Sequence, residues 1–193
     1  MQKPLYIFDF DDTLALSDAV VIITHKDGEI EELTSGEYAT YKKQVGDIFD
    51  FEQFHRYPPN GRVIRETFVE LNNALSKYSS NDVVILTARE YCEPIIKFLK
   101  DNGVTKIPTM KCVGGADPML KGSYVSEKIK EEGYTEVYVF EDSTDNLIAI
   151  GNAIKPFKNV SYYPTHVEAH GKQNEVLLRH FIQGVLLEHK KGK

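Results

Sequence analysis

Three apolar runs set the frame of this chain, and each breaks off in a polar or acidic residue. Tyr6-Ile7-Phe8 passes into Asp9-Phe10-Asp11-Asp12-Thr13, Val83-Val84-Ile85-Leu86 ends in Thr87, and Val137-Tyr138-Val139-Phe140 ends in Glu141-Asp142. Short, near-continuous apolar runs predict strands buried on both faces of a parallel sheet. Between them the period changes to that of a helix: Val63, Ile64, Phe68, Leu71, Ala74 and Leu75 predict a helix over 62–78. Further helices are predicted over 93–101, stopped by Asn102-Gly103, over 123–132, stopped by Gly133, and over 145–154. Short strands are expected over 107–113 and 160–163, then an amphipathic helix over 174–188 and a frayed Lys190-Lys191-Gly192-Lys193 tail. Strand and helix in alternation predict an α/β fold, a doubly wound Rossmann-like parallel sheet in a three-layer α/β/α arrangement, as one domain over 1–193.

One stretch departs from the alternation. Runs at 20–24 and 29–33 flank Asp27-Gly28 and predict a hairpin. Thr34 with Glu37 has the spacing of a capping box and predicts a helix over 35–45. The aromatic stretch Phe49-Asp50-Phe51-Glu52-Gln53-Phe54-His55-Arg56-Tyr57 then runs into the turn signal Pro58-Pro59-Asn60-Gly61. Residues 16–60 therefore read as a small insertion after the first strand, too slight for a sealed lid.

Length permits one well-buried core in the 193 residues. The balance of 29 acidic against 23 basic residues, a formal charge of -6, disfavours an extended nucleic-acid groove but allows a single phosphate to dock. No apolar run approaches the roughly 20 residues of a membrane-spanning helix, and none opens the chain as a signal segment. With only Cys92 and Cys112 present, the expectation is a cytoplasmic protein with free structural thiols, no membrane and no stable protein partner.

In an open parallel sheet, ligands bind outside the carboxyl ends of the strands. If the three runs share a sheet, Asp9, Asp11, Glu141 and Asp142 gather at one edge. Two like charges 4 Å apart repel by about 4 kcal/mol at an effective dielectric near 20. Such a cluster needs a cation, and all-oxygen ligands suit Mg²⁺ completed by a substrate phosphate.

Asp9-x-Asp11-x-Thr13, the strand end Leu86-Thr87-Ala88-Arg89, a Lys upstream of the last acidic pair, and Glu141-Asp142-Ser143 resemble the motifs of the haloacid dehalogenase (HAD) superfamily of phosphohydrolases. The resemblance spans most of the chain. It implies a hydrolase, a phosphatase in which Asp9 is the nucleophile that forms an aspartyl-phosphate and Asp11 the general acid and base. It further implies that Thr87, Ala88 and Arg89 bind substrate at the strand end. Lys121 would offset phosphoryl charge, and Asp9, Asp11 through its backbone carbonyl, Asp142 and Glu141 would hold Mg²⁺. Lys111, Lys121 and Lys128 all precede the acidic pair; Lys121 is chosen because the family's Lys opens a helix. The small insertion resembles that of phage-type members and of the 3′-phosphatase domain of polynucleotide kinases. A partly open cleft then favours a nucleotide or a nucleic-acid end over another phosphorylated small molecule such as a sugar phosphate. No Gly-x-x-x-x-Gly-Lys-[Ser/Thr] loop is present for a fused kinase. A phosphotransferase, or a Mg²⁺ and phosphate-binding module without turnover, are the alternatives.

Several residues carry two readings. Phe49, Phe51, Phe54 and Tyr57, near Lys42, Lys43 and Arg56, could stack on a base or pin the insertion down. Arg89 could steer anionic substrate or make a salt bridge at a helix start, and Asp145 could be an outer metal ligand or a helix cap. Asp12 reads as a turn residue, and Gly114-Gly115 as a loop. His166-Val167-Glu168-Ala169-His170 lacks the Glu placement and the third ligand of a zinc site. A phospho-accepting receiver domain is disfavoured because Thr87 stands where its acceptor Asp would follow the middle strand.

Overall fold

In the computed structural model, which describes residues 2–168, the three apolar runs become neighbouring parallel strands. In chain order the elements are β1 (Pro4–Phe8), β2 (Ala15–Leu16), β3 (Val20–Thr24), β4 (Ile30–Thr34), α1 (Ser35–Thr40), β5 (Ile48–Asp50), β6 (Arg62–Val63), α2 (Arg65–Lys77) and β7 (Val83–Thr87). Then follow α3 (Glu93–Asp101), β8 (Thr109–Cys112), α4 (Pro118–Glu132), β9 (Glu136–Glu141), α5 (Thr144–Ile154) and β10 (Ser161–His166). The main sheet has five strands in the order β10-β9-β1-β7-β8, and every pairing in it is parallel.

Alternation along each strand feeds two cores. Leu5, Ile7, Val84 and Leu86 face Val125, Ile129 and Ile150 of α4 and α5. Phe8 and Ile85 face Phe68, Leu71, Ile95 and Phe98 of α2 and α3. Burial on both faces is why β7 is buried at every position. Phe8 pairs with Ile85 on one side and Phe140 on the other, so the three strands end within two residues of one another. The chain runs outward from β1 through β7 and β8, then crosses back to lay β9 on the opposite side of β1. The β1/β9 boundary is thus the topological switch point, the place beyond the strand ends where open α/β sheets take their ligands.

Helix bounds differ from the sequence reading in instructive ways. α4 begins at Pro118, not at 123, because Asp117 caps it through Met119 N and Pro118 occupies its first turn. Gly122 lies inside that helix, where an added Cβ would stand 3.0 Å from the carbonyl oxygen of Ala149 and 3.3 Å from Ala153 Cβ. It is a contact glycine between α4 and α5, not a boundary. α1 has its capping box but stops at Thr40. The Asp47 carboxylate there takes the Tyr41 hydroxyl and Gln44 N, both at 2.8 Å, and this side-chain knot replaces further helical turns. β5 was not anticipated, being three residues within the aromatic stretch, and β10 extends to His166.

The insertion is a three-stranded antiparallel sheet, β4-β3-β5, with α1. It has its own core of Val21, Ile23 and Leu33, against which Phe49, Phe51 and Phe54 pack. Of the aromatics offered for base stacking, these three pack on the insertion's own core, Phe54 also against the Arg89 guanidinium, while Tyr57 lies 5.8 Å from the Phe98 ring of α3.

The expectation of free thiols is corrected. Cys92 and Cys112 form a disulfide with their Cα atoms 5.8 Å apart. The reason is register: Thr87 pairs with Cys112, and the loop leaving β7 folds back to bring Cys92 over the end of β8. The predicted helix over 174–188 and the lysine tail lie outside the described residues. Among the described residues, no helix is long and apolar enough to cross a membrane.

Candidate active site

β1 ends at the switch point, and the chain turns there within a few residues. The Phe10 carbonyl accepts from Leu14 N at 2.9 Å and Ala15 N at 3.0 Å, and Asp12 adopts a φ of 62°. Asp12 is therefore a turn residue, as its position suggested, and it also accepts from the Ser35 hydroxyl of the insertion at 2.5 Å. Asp9 N still donates to Phe140 O at 2.9 Å, so its side chain is set by the sheet itself.

Asp9, Glu141 and Asp142 each bring a carboxylate oxygen within 4.8 Å of the others. Into this group α4 inserts Lys121, whose Nζ donates to Asp9 Oδ1 and to Glu141 Oε2, both at 2.6 Å. Of the three candidate lysines only Lys121 meets the cluster. Lys128 pairs with Glu132 and Lys111 lies 5.6 Å from the Tyr124 ring. Glu141 is fully engaged: its Oε1 accepts from Ser143 N at 3.2 Å and from Asn146 Nδ2 at 3.0 Å. Asp142 is more loosely held, accepting the Thr13 hydroxyl at 3.3 Å.

The charge does not balance, since three carboxylates face one ammonium. Burial and repulsion by Glu141 raise the Asp9 carboxyl well above the usual range despite Lys121. Burial and the charges of Glu141 and Asp12 push Asp142 up to about 7. Burial alone would lower the pKa of Lys121, but Asp9 and Glu141 outweigh it and hold the ammonium charged. These oxygens, with their surplus of negative charge, are a donor set that could hold one hard divalent cation.

Thr87, at the end of β7, is buried, and its Oγ1 accepts from Arg89 N at 3.2 Å. Ala88 is exposed beside it, and its carbonyl accepts from Gly115 N at 3.0 Å, which assigns Gly114-Gly115 to a loop packed on this strand end. Asp11 does not enter the carboxylate group. Its Oδ2 and Oδ1 accept Arg89 Nε at 2.9 Å and Nη2 at 2.7 Å. The Arg89 side chain is 1% exposed and that of Asp11 17%, so the guanidinium is buried and spends these donors on a partly buried salt bridge. Asp145 is exposed, and Ser143 caps α5 in its place by accepting from Asn146 N. His166 bonds to the Asp142 carbonyl oxygen at 2.8 Å, which spends that ring on backbone.

Sequence reasoning missed Asn146 and Thr13 as partners of the acidic pair. Asn146 had a signal, since a polar residue three beyond a capping Ser returns to the residues before the helix. Comparison with family models, with curated proteins and with solved structures returned no match to this chain.

Proposed function

We propose that this protein is a Mg²⁺-dependent phosphatase of the HAD type that hydrolyses phosphate monoesters through an aspartyl-phosphate at Asp9. Nucleotides or nucleic-acid termini are the proposed substrate class. The observation that carries the reading is the meeting, around the switch point of a parallel sheet, of a buried Asp9-Lys121-Glu141 chain with Asp142 and the Thr87 strand end.

In this reading an Asp9 oxygen attacks phosphorus, the bond to the leaving oxygen breaks, and Asp11 gives that oxygen a proton. A water then attacks the phosphorus, Asp11 takes its proton, and the bond to Asp9 breaks to release phosphate. Lys121 keeps Asp9 in a fixed place and offsets charge on the transferred group. The Thr87 hydroxyl and the Ala88 backbone would steady the phosphoryl oxygens. Asp9 and Asp142, with the Asp11 carbonyl, would hold Mg²⁺, and Glu141, already committed to Lys121, Ser143 and Asn146, would support it. When bound, the metal supplies the positive charge that the carboxylates lack.

The test is phosphate release from 3′- and 5′-nucleotides, phosphorylated oligonucleotide ends and sugar phosphates, with Mg²⁺ and with chelator, wild type beside Asp9→Asn. Chelator-sensitive release that vanishes in the variant is expected, strongest on the nucleotide class. Wild-type turnover in Asp9→Asn, or silence on every monoester, would sink the reading; release confined to sugar phosphates would replace the substrate class.

A further inference from the structure

We infer that Arg89 is a positioning residue through which the insertion sets where the Asp11 carboxylate stands, an inference that rests on the reading of Asp11 as the acid-base group. The guanidinium divides its donors between two parts of the molecule. Nε and Nη2 hold both oxygens of Asp11, at 2.9 and 2.7 Å. Nη1 donates to the carbonyl oxygens of Phe54 at 2.9 Å and Arg56 at 3.1 Å, both in the insertion. The same side chain packs against the Phe10 ring at 5.2 Å and the Phe54 ring at 5.3 Å, one from each part.

These carbonyls stand at the end of a single 3-10 turn, Glu52–His55, where helical partners run out. Arg89 supplies what the turn lacks. Only a planar, rigid fork reaches a carboxylate in bidentate fashion and two carbonyls at once; a lysine ammonium offers a point charge on a flexible stem. Because the side chain is 1% exposed, water cannot easily replace a lost acceptor. A shift of the 54–56 backbone therefore moves the fork, and the fork carries Asp11. The mechanism asks Asp11 to face first a leaving oxygen and then a water, while here it is held outside the Asp9, Glu141 and Asp142 group. The place of the insertion and the place of Asp11 are one variable, read through Arg89.

A plain strut would also hold the insertion, but it would not report on Asp11. The experiment compares backbone amide exchange in the full chain for wild type, Asp11→Asn, Arg89→Met and the double variant. It follows Phe54 N, Asp18 N and Gly61 N, which bond to Phe51 O, Pro59 O and Pro58 O. Arg89→Met is expected to speed exchange at these amides by about tenfold or more, the scale of losing buried hydrogen bonds. Asp11→Asn should speed it in the wild-type background and add nothing in Arg89→Met. Asp11→Asn at the wild-type rate, or additive effects in the double variant, would overturn the inference. Arg89→Lys, which retains a buried cation, carries the same comparison should the methionine variant not fold.

A second readout is kinetic. With a monoester and Mg²⁺, Arg89→Lys should lower kcat by about tenfold or more with KM near wild type, whereas a substrate-binding Arg would raise KM. If wild type itself releases no phosphate, the phosphatase reading fails, and the exchange experiment still decides whether Asp11 and the insertion are coupled.

Discussion

Lys121 and Arg89 are both buried cations, one on each side of the end of β1, and they face different charge. Arg89 meets one carboxylate, Asp11, and two neutral carbonyls, so its surroundings balance. Lys121 meets Asp9 and Glu141 directly, with Asp142 close by, and its surroundings stay negative. A balanced pair fastens two parts of a structure together. An unbalanced one keeps an unfavourable charge in place, and a fold retains such a cluster at a cost in stability. On the proposed function the Lys121 side is where a cation and an anionic substrate would settle, and the Arg89 side is what holds the approach to it.

The sharpest way to break this comparison is at Asp9. Asp9→Asn should lower turnover by roughly 10³-fold or more, the scale of removing a covalent nucleophile. It should also leave the metal-free protein at least as stable as wild type, because the carboxylate it removes has its pKa raised by burial and repulsion. Activity and urea midpoint, measured on the same preparations, should move in opposite directions. A loss in both would mean that Asp9 is a structural partner of Lys121 before it is anything else.

Removing the cation tests the other half. Lys121→Met leaves Asp9 and Glu141 buried without their shared partner and should cost about 3–5 kcal/mol in urea unfolding. Part of that loss should return as pH is lowered and the stranded carboxylates take up protons. A loss that is the same at about pH 5 and about pH 8 would mean that packing, and not charge, is what Lys121 supplies.

The Arg89 side carries a further fastening that the Lys121 side lacks. The Cys92 to Cys112 bridge closes a loop with a sequence separation of 20 and ties the segment after Arg89 to the end of β8. Cys92→Ser should cost about 3 kcal/mol, and a reductant should cost wild type the same amount while leaving the variant unaffected. Two free thiols in the unreduced native protein, by thiol titration, would remove this fastening from the comparison.

How much of this could be read from the chain follows from what each feature depends on. β7 with its terminal Thr87 was legible because burial on both faces leaves an unbroken apolar run with a polar stop, and β9, buried at alternate positions, because its apolar run stops in the same way at Glu141 and the following Asp142. Lys121 was legible only by resemblance. The pairing of Arg89 with Asp11 joins residues 78 apart and leaves no periodic trace, so the chain showed both residues and hid their contact. Likewise the disulfide depends on the β7/β8 register, and β5 is too short for alternation to declare itself. Asn146 and Ser143 divide the tasks that Asp145 was offered, because the cap falls one residue before α5 begins.

The surplus charge has a signature in pH. Asp142 titrates near 7 when folded and near the usual 3.8 otherwise, so the folded protein holds a proton that the unfolded chain has released. Its contribution is fully present below about pH 4 and is lost as pH rises through about 7. His25, raised chiefly by its hydrogen bond to Asp47, moves stability the same way, so the share of the cluster is read from Asp142→Asn, which should flatten the slope between about pH 5 and pH 8. On the proposed function Mg²⁺ would bind the ionised form and should therefore stabilise more at the upper end of that window. Equal stabilisation by Mg²⁺ at both ends, or an unaltered slope in the variant, would mean that Asp142 is not the group that takes up the surplus.

The smallest effect falls on a neutral side chain that donates to Asp142 directly. Thr13 is fully buried, and its hydroxyl donates to Asp142 Oδ1 at 3.3 Å, while its carbonyl separately accepts the Thr67 hydroxyl. Thr13→Val keeps the shape and the carbonyl and removes only the donor to Asp142. The expected loss is about 1 kcal/mol, larger at about pH 8 than at about pH 5, because a hydrogen bond to an ionised carboxylate is worth more than one to its neutral form. Urea midpoints at the two pH values settle this. A loss that does not change with pH would mean that the hydroxyl serves the turn after β1, and Asp142 would then be held by the fold and not by its neighbours.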